Sequence, residues 1–229
     1  MVSVAVGVAV YAAACVDAAP VRSPPVAPAP APQSPLPAAP SRDATLPAPV
    51  PQGDAAAAFV LRFPDAHNHY LQVDATYRAS APDLVLMMAV WTPGSYLVRE
   101  FARHVENIAA TTLAGAPLTV RKVSKNRWSV ATGGADQVRV RYDVYGREMS
   151  VRTNFIDREM AVLNGCPTFL VPADALDRPF DVALTLPERW PEVVTSLPRV
   201  SEGTAAGVHR FRAADYDELA DSPILLGEP

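Results

Sequence analysis

The chain is poor in cysteine, with only Cys15 and Cys166 among 229 residues, and the two sit in very different contexts. They are poor candidates for a bridge, so the fold has to stand without disulfides. Charge is sparse as well: Asp, Glu, Lys and Arg make up 19% of the chain and the net charge is −4. No basic run could neutralise a row of phosphates, which argues against nucleic acid as a partner. Histidine occurs only as His67, His69, His104 and His209, never in a His-Glu-x-x-His pattern. The Gly-x-Ser-x-Gly turn that would expose a nucleophilic serine is missing too. A sustained apolar period of 3.6 is absent except around Phe101–Ile108 and Tyr216–Leu219, so few helices are expected.

The apolar run from Val2 to Ala14 is too short to span a bilayer but fits the core of a secretory signal, although no Lys or Arg precedes it. Ala12-Ala13-Ala14-Cys15 resembles a bacterial lipoprotein cleavage site, with Ala12 where leucine is usual, and makes Cys15 a lipidation candidate. A lipidated start, a simply cleaved signal and a spurious start all remain open for residues 1–19. Residues 20–56 read as a Pro/Ala-rich disordered linker: twelve of the 24 prolines lie between Pro20 and Pro51. At ~3.1 Å per residue, some thirty such residues reach on the order of 90 Å. The expectation is an exported protein, periplasmic or attached to the outer membrane of a bacterium through its N-terminus.

Residues 57–229 change texture to alternation. Leu71, Val73, Ala75 and Tyr77 share one face of a strand, with Gln72, Asp74 and Thr76 on the other. Val138, Val140, Tyr142 and Val144 repeat the pattern, and so do Phe180, Val182, Leu184 and Leu186. Shorter strands are predicted at 58–63, 118–123, 126–131, 160–164, 168–171 and 208–213, with turn signals such as Asn164-Gly165 and Glu202-Gly203 between them. The predicted class is all-β, an antiparallel β-sandwich-like domain behind a disordered leader.

The chain is organised around Trp91-Thr-Pro-Gly-Ser-Tyr-Leu-Val-Arg-Glu-Phe-Ala-Arg-His104. Leu84 to Val90 precedes it and reads as a strand buried on both faces, broken by Pro93-Gly94. Tyr96, Arg99, Glu100, Arg103 and His104 come directly after the break. Such a group is either a structural corner, with Trp91 and Tyr96 packed, or a site delivered by a rigid turn. This stretch resembles the hallmark of the N-terminal domain of the glycyl-aminopeptidase family of zinc metallopeptidases. The likeness continues in Lys125-Asn-Arg-Trp128, Tyr142-Asp-Val-Tyr145, Ser150-Val-Arg-Thr-Asn154, Asn164-Gly165 and Asp215-Tyr-Asp-Glu-Leu-Ala-Asp-Ser-Pro223.

The resemblance implies a β domain that packs on a thermolysin-like zinc domain, often followed by a PDZ domain. In that family the enzyme removes N-terminal residues, with a preference for glycine or alanine, and its zinc and glutamate base lie in the domain after this one. No catalytic residue and no cofactor are therefore expected here, and the chain is expected to stop where the zinc domain would begin. The partner is a catalytic peptidase domain or partner chain, and a peptide is the implied ligand. Tyr96, Arg99 and Glu100 become candidates for the cleft wall, with Trp91, Pro93 and Gly94 as the structural motif. The alternative is a free-standing exported module that binds peptides or proteins.

Three other groups carry side chains capable of chemistry. His67-Asn68-His69 would put two imidazoles on one face of a strand, able to grip a metal, yet no third ligand is near in sequence. Cys166 lacks a recognisable base and reads as a small buried thiol. Asn154, Asp157, Arg158 and Glu159 read as a solvated loop that could border a cleft.

Overall fold

The computed structural model describes residues 49–92, 94–200 and 208–227. The expected signal segment, Cys15, most of the linker, Pro93 and the Glu202-Gly203 turn lie outside the described residues. Fifteen strands are described: β1 (Ala57–Arg62), β2 (Tyr70–Arg78), β3 (Asp83–Met87), β4 (Val105–Thr112), β5 (Pro117–Leu118), β6 (Val120–Ser124), β7 (Arg127–Ala131), β8 (Gln137–Tyr145), β9 (Phe155–Ile156), β10 (Met160–Leu163), β11 (Val171–Pro172), β12 (Phe180–Thr185), β13 (Glu192–Thr195), β14 (Val208–Ala213) and β15 (Ile224–Gly227). Two short helices, α1 (Gly165–Thr168) and α2 (Tyr216–Asp221), complete the elements used below. No described helix is long and apolar enough to cross a membrane.

The strands form a seven-stranded sheet, β14-β12-β1-β2-β8-β4-β5, and two four-stranded sheets, β13-β15-β10-β9 and β11-β3-β7-β6. Pairing is antiparallel except between β1 and β12. All three sheets turn apolar side chains into one core, where Phe59 meets Phe169 with ring centroids 4.8 Å apart and Phe63 meets Trp190 at the same distance. Two buried tyrosines fasten the large sheet to the segment leading into β11. Tyr77 donates to the Leu170 carbonyl at 2.8 Å, and Tyr142 donates to the Thr168 carbonyl at 3.1 Å. The all-β expectation holds.

Several local readings are corrected. β3 stops at Met87, and its burial alternates, with Leu84 and Leu86 inward and Val85 and Met87 partly exposed, so the run to Val90 is not a strand buried on both faces. Phe101–His104 is a single 3₁₀ turn, and Val105–Thr112 continues as a strand rather than a helix. The β-branched residues Val105, Ile108, Thr111 and Thr112 favour the sheet once a partner strand is available. The predicted strand at 118–123 is two, because the chain leaves the large sheet at Leu118 and joins a small one at Val120. At 168–171 only Val171–Pro172 is a strand, since α1 occupies the residues before it.

Asp74 overturns the simple alternation of β2. Its carboxylate faces away from the core yet is fully buried, under the guanidinium groups of Arg62, Arg139 and Arg141. Arg139 grips it with two bonds, Nε to Oδ1 at 2.7 Å and Nη2 to Oδ2. Burial alone would push this carboxyl up, but the Arg139 bonds and the three positive charges hold it below its ordinary value. At the domain's start, arginines clasp the backbone: Arg78 donates to the carbonyls of Pro51, Gly53 and Ala55, Arg178 to that of Asp54, and Arg212 to that of Gln52.

Candidate functional site

The stretch after β3 is a closed loop. Its base is fixed by the Arg99 N–H, which donates to the Val90 carbonyl at 2.6 Å. Inside it Ser95 N–H donates to Thr92 O at 3.1 Å, and the Trp91 indole N–H donates to the Ser95 carbonyl. Gly94 takes φ of 75°, a left-handed conformation that suits glycine. Tied in this way, the loop holds its far side away from the domain. Tyr96 is fully exposed, Leu97 is 59% and Val98 68% exposed, and Trp91 remains 48% exposed. Tyr96 is therefore not packed as the structural-corner reading expects, and Trp91 is only partly so.

Arg99 and Glu100 do not pair with each other. Glu100 accepts from Lys125 Nζ at 2.6 Å, both side chains being exposed, and that bond and charge hold the Glu100 carboxyl below its ordinary value. Arg99 is half-buried with its Nε enclosed and without a partner. His104 takes a bond from Arg103 Nε at 3.1 Å, and burial followed by the Arg103 charge pulls its pKa down. A shallow cavity of about 210 Å³ opens beside the loop, lined by Thr92, Val151, Asn164, Cys166 and Pro223 among others. Met149 and Val151 are 55% and 81% exposed, and Val151 shares this hollow with Thr92.

The other motif residues are mostly fasteners. Asn126 brackets the end of β3, donating its amide to Met88 O at 2.8 Å and accepting Met88 N–H on its backbone carbonyl at 3.0 Å, while Trp128 fills the core. Asn154 is buried, not solvated: its side chain donates to Thr168 Oγ1 at 2.9 Å and accepts from Asn164 N–H at 2.9 Å. Asp157 accepts from the N–H groups of Glu159 and Met160, closing a tight turn. Asp215 caps α2 by accepting Glu218 N–H at 2.8 Å, and Glu218 reaches back to Ala214 N–H at 2.6 Å, a reciprocal cap. Cys166 is buried, burial pushes its thiol up, and Tyr216 OH lies 3.9 Å from Sγ.

His67 and His69 do not share a strand face. His67 lies in a 3₁₀ turn, 3.4 Å from Asp65, and His69 comes next at φ of 69° with Nδ1 2.5 Å from the Ile156 carbonyl. Among the described residues no three His, Cys, Asp or Glu side chains are grouped to hold a metal.

The family model of the peptidase M61 N-terminal domain matches residues 58–228. The chain belongs to the peptidase M61 N-terminal domain family. Among solved structures, the aminopeptidase N family protein from Idiomarina loihiensis is 33% identical to this M61 domain, at a TM-score of 0.69, over 75% of this chain and 29% of that one. A variant of the M1 zinc metallopeptidase from Deinococcus radiodurans is 14% identical at a TM-score of 0.50, over 76% of this chain and 42% of its own, a likeness of fold alone. This chain thus spans less than half the length of either relative. No curated protein matches.

Because Tyr96 and Leu97 touch little of their own domain, Tyr96→Ala and Leu97→Ala should leave the stability of the isolated chain within about 0.5 kcal/mol of wild type. Urea unfolding checks this; a loss above ~1.5 kcal/mol would make the loop part of the core packing.

Proposed function

We propose that this chain is the non-catalytic N-terminal β domain of a zinc aminopeptidase-like enzyme, packing on a peptidase domain and shaping its substrate cleft. The observation that carries the reading is the loop closed by Arg99 and Val90, which holds Trp91, Tyr96, Leu97 and Val98 out of the domain. A solitary module is expected to be polar at such a place, so a fixed apolar projection favours docking over the free-standing peptide- or protein-binding alternative. On this reading Leu97 and Val98 are covered by the peptidase domain, while Tyr96, Arg99 and Glu100 stand at the wall of the cleft. Glu100, held ionised beside Lys125, would orient the ammonium end of a peptide. On this proposal the metal and its activated water are supplied by the partner domain. The preference for N-terminal glycine or alanine is carried over as part of this proposal, as are export and attachment through a lipidated Cys15.

The test is a chimera in which the matching region of the Idiomarina protein is replaced by residues 50–227 of this chain. Tyr96→Ala, Arg99→Ala or Glu100→Gln should lower kcat/KM on glycyl or alanyl p-nitroanilide by about tenfold or more, with the melting temperature unchanged. Three variants with wild-type kcat and KM would overturn the cleft-wall reading.

A further inference from the structure

The outward faces of the sheets are built differently. On the seven-stranded sheet, β2 and β8 turn Gln72, Asp74, Thr76, Arg139, Arg141 and Asp143 away from the core. The sheet β13-β15-β10-β9 does not alternate in this way. Its inner row, Val193, Leu226, Ala161 and Ile156, packs into the core. The same register sets Val194, Leu225, Val162 and Phe155 side by side on the opposite face. Val194 and Leu225 are 53% and 45% exposed, and Val162 and Phe155 are partly so. A contiguous apolar row left open on the outer face of a sheet marks an interaction surface.

The row also leads to the loop. Pro223 and Asn164, directly beyond the ends of β15 and β10 nearest the loop, both line the cavity shared with Thr92 and Val151. Sheet row, hollow and projecting loop therefore border one another. We propose that Val194, Leu225, Val162 and Phe155 form a second seat for the peptidase domain, so that one partner covers both the flat row and the loop. This rests on the reading above and adds to it the surface that holds the two domains together.

The experiment co-expresses the full 229-residue chain with the part of the Idiomarina protein outside the matched region, the latter checked for folding by circular dichroism. Wild type should co-purify with it, and Leu225→Glu or Val194→Glu should weaken association at least tenfold while keeping the wild-type melting temperature. Val123→Glu, on an exposed position of β6 in another sheet, should change nothing. A complex that survives both seat variants but is lost on Leu97→Glu overturns the seat and leaves the docking reading standing. No complex with wild type overturns the docking reading itself. Self-association of the chain alone, abolished by Leu225→Glu, would assign the row to a second copy and overturn the proposal.

Discussion

Asp74→Ala is expected to destabilise the domain by about 3–5 kcal/mol, because it removes a fully buried carboxylate that three partly buried arginines reach. The cost comes from the groups left behind: Arg62, Arg139 and Arg141 would lose the buried carboxylate on which their guanidinium groups converge. Pairing the change with Arg139→Ala should cost less than the sum of the two single changes, which a double-mutant cycle in urea measures directly. The sign of the pH dependence comes from the carboxyl's lowered pKa. A group held below its unfolded value adds stability above that value and loses it as pH falls through the folded one. Wild type should therefore lose more stability than Asp74→Asn on acidification below about pH 4, where the unfolded carboxyl begins to protonate. Equal acid profiles for the two proteins would mean that the cluster is not an ion pair in solution.

Gly165→Ala is expected to be similarly damaging, for a steric reason. A Cβ there would overlap the carbonyl oxygen of Leu219 and stand 2.7 Å from the Cα of Ala220. Both are backbone atoms of α2, so no side-chain rotation relieves the clash and the two helices must separate. Overpacking typically costs about 1–3 kcal/mol, and a backbone contact this close belongs at or above the top of that range. The glycine serves close approach, since its φ is not among the positive values. Reading Asn164-Gly165 as a turn located the residue and missed the reason for it. Gly165→Ala with wild-type stability would show that α1 and α2 do not pack as described.

How far the sequence could be read depended on which face of each strand met water. β2, β8 and β12 are half-buried strands in the large sheet, and their period of two placed Val73, Val140 and Val182 in the core correctly. β13 and β15 carried no such signal. Ile224, Leu225 and Leu226 are apolar in succession, and a three-residue run without alternation cannot be told from a buried turn. The burial of Asp74 was equally hidden. An aspartate in an outward slot reads as solvated until residues 12, 65 and 67 positions away in sequence converge on it. The loop itself was legible because Gly94 marks it, but the outward throw of Tyr96 to Val98 depends on the bond between Arg99 and Val90, which no local pattern announces.

The most direct measurement is hydroxyl-radical footprinting, read residue by residue by mass spectrometry, of the isolated chain and of the chimera with the peptidase domain. Leu97, Val98, Val194 and Leu225 should be modified readily in the isolated chain and strongly protected in the chimera. Leu113 and Val123, exposed on other strands and turns, should react equally in both. Equal modification of Leu97, Val98 and Leu225 in the two proteins would contradict the account, leaving a domain joined to a peptidase but not docked on it.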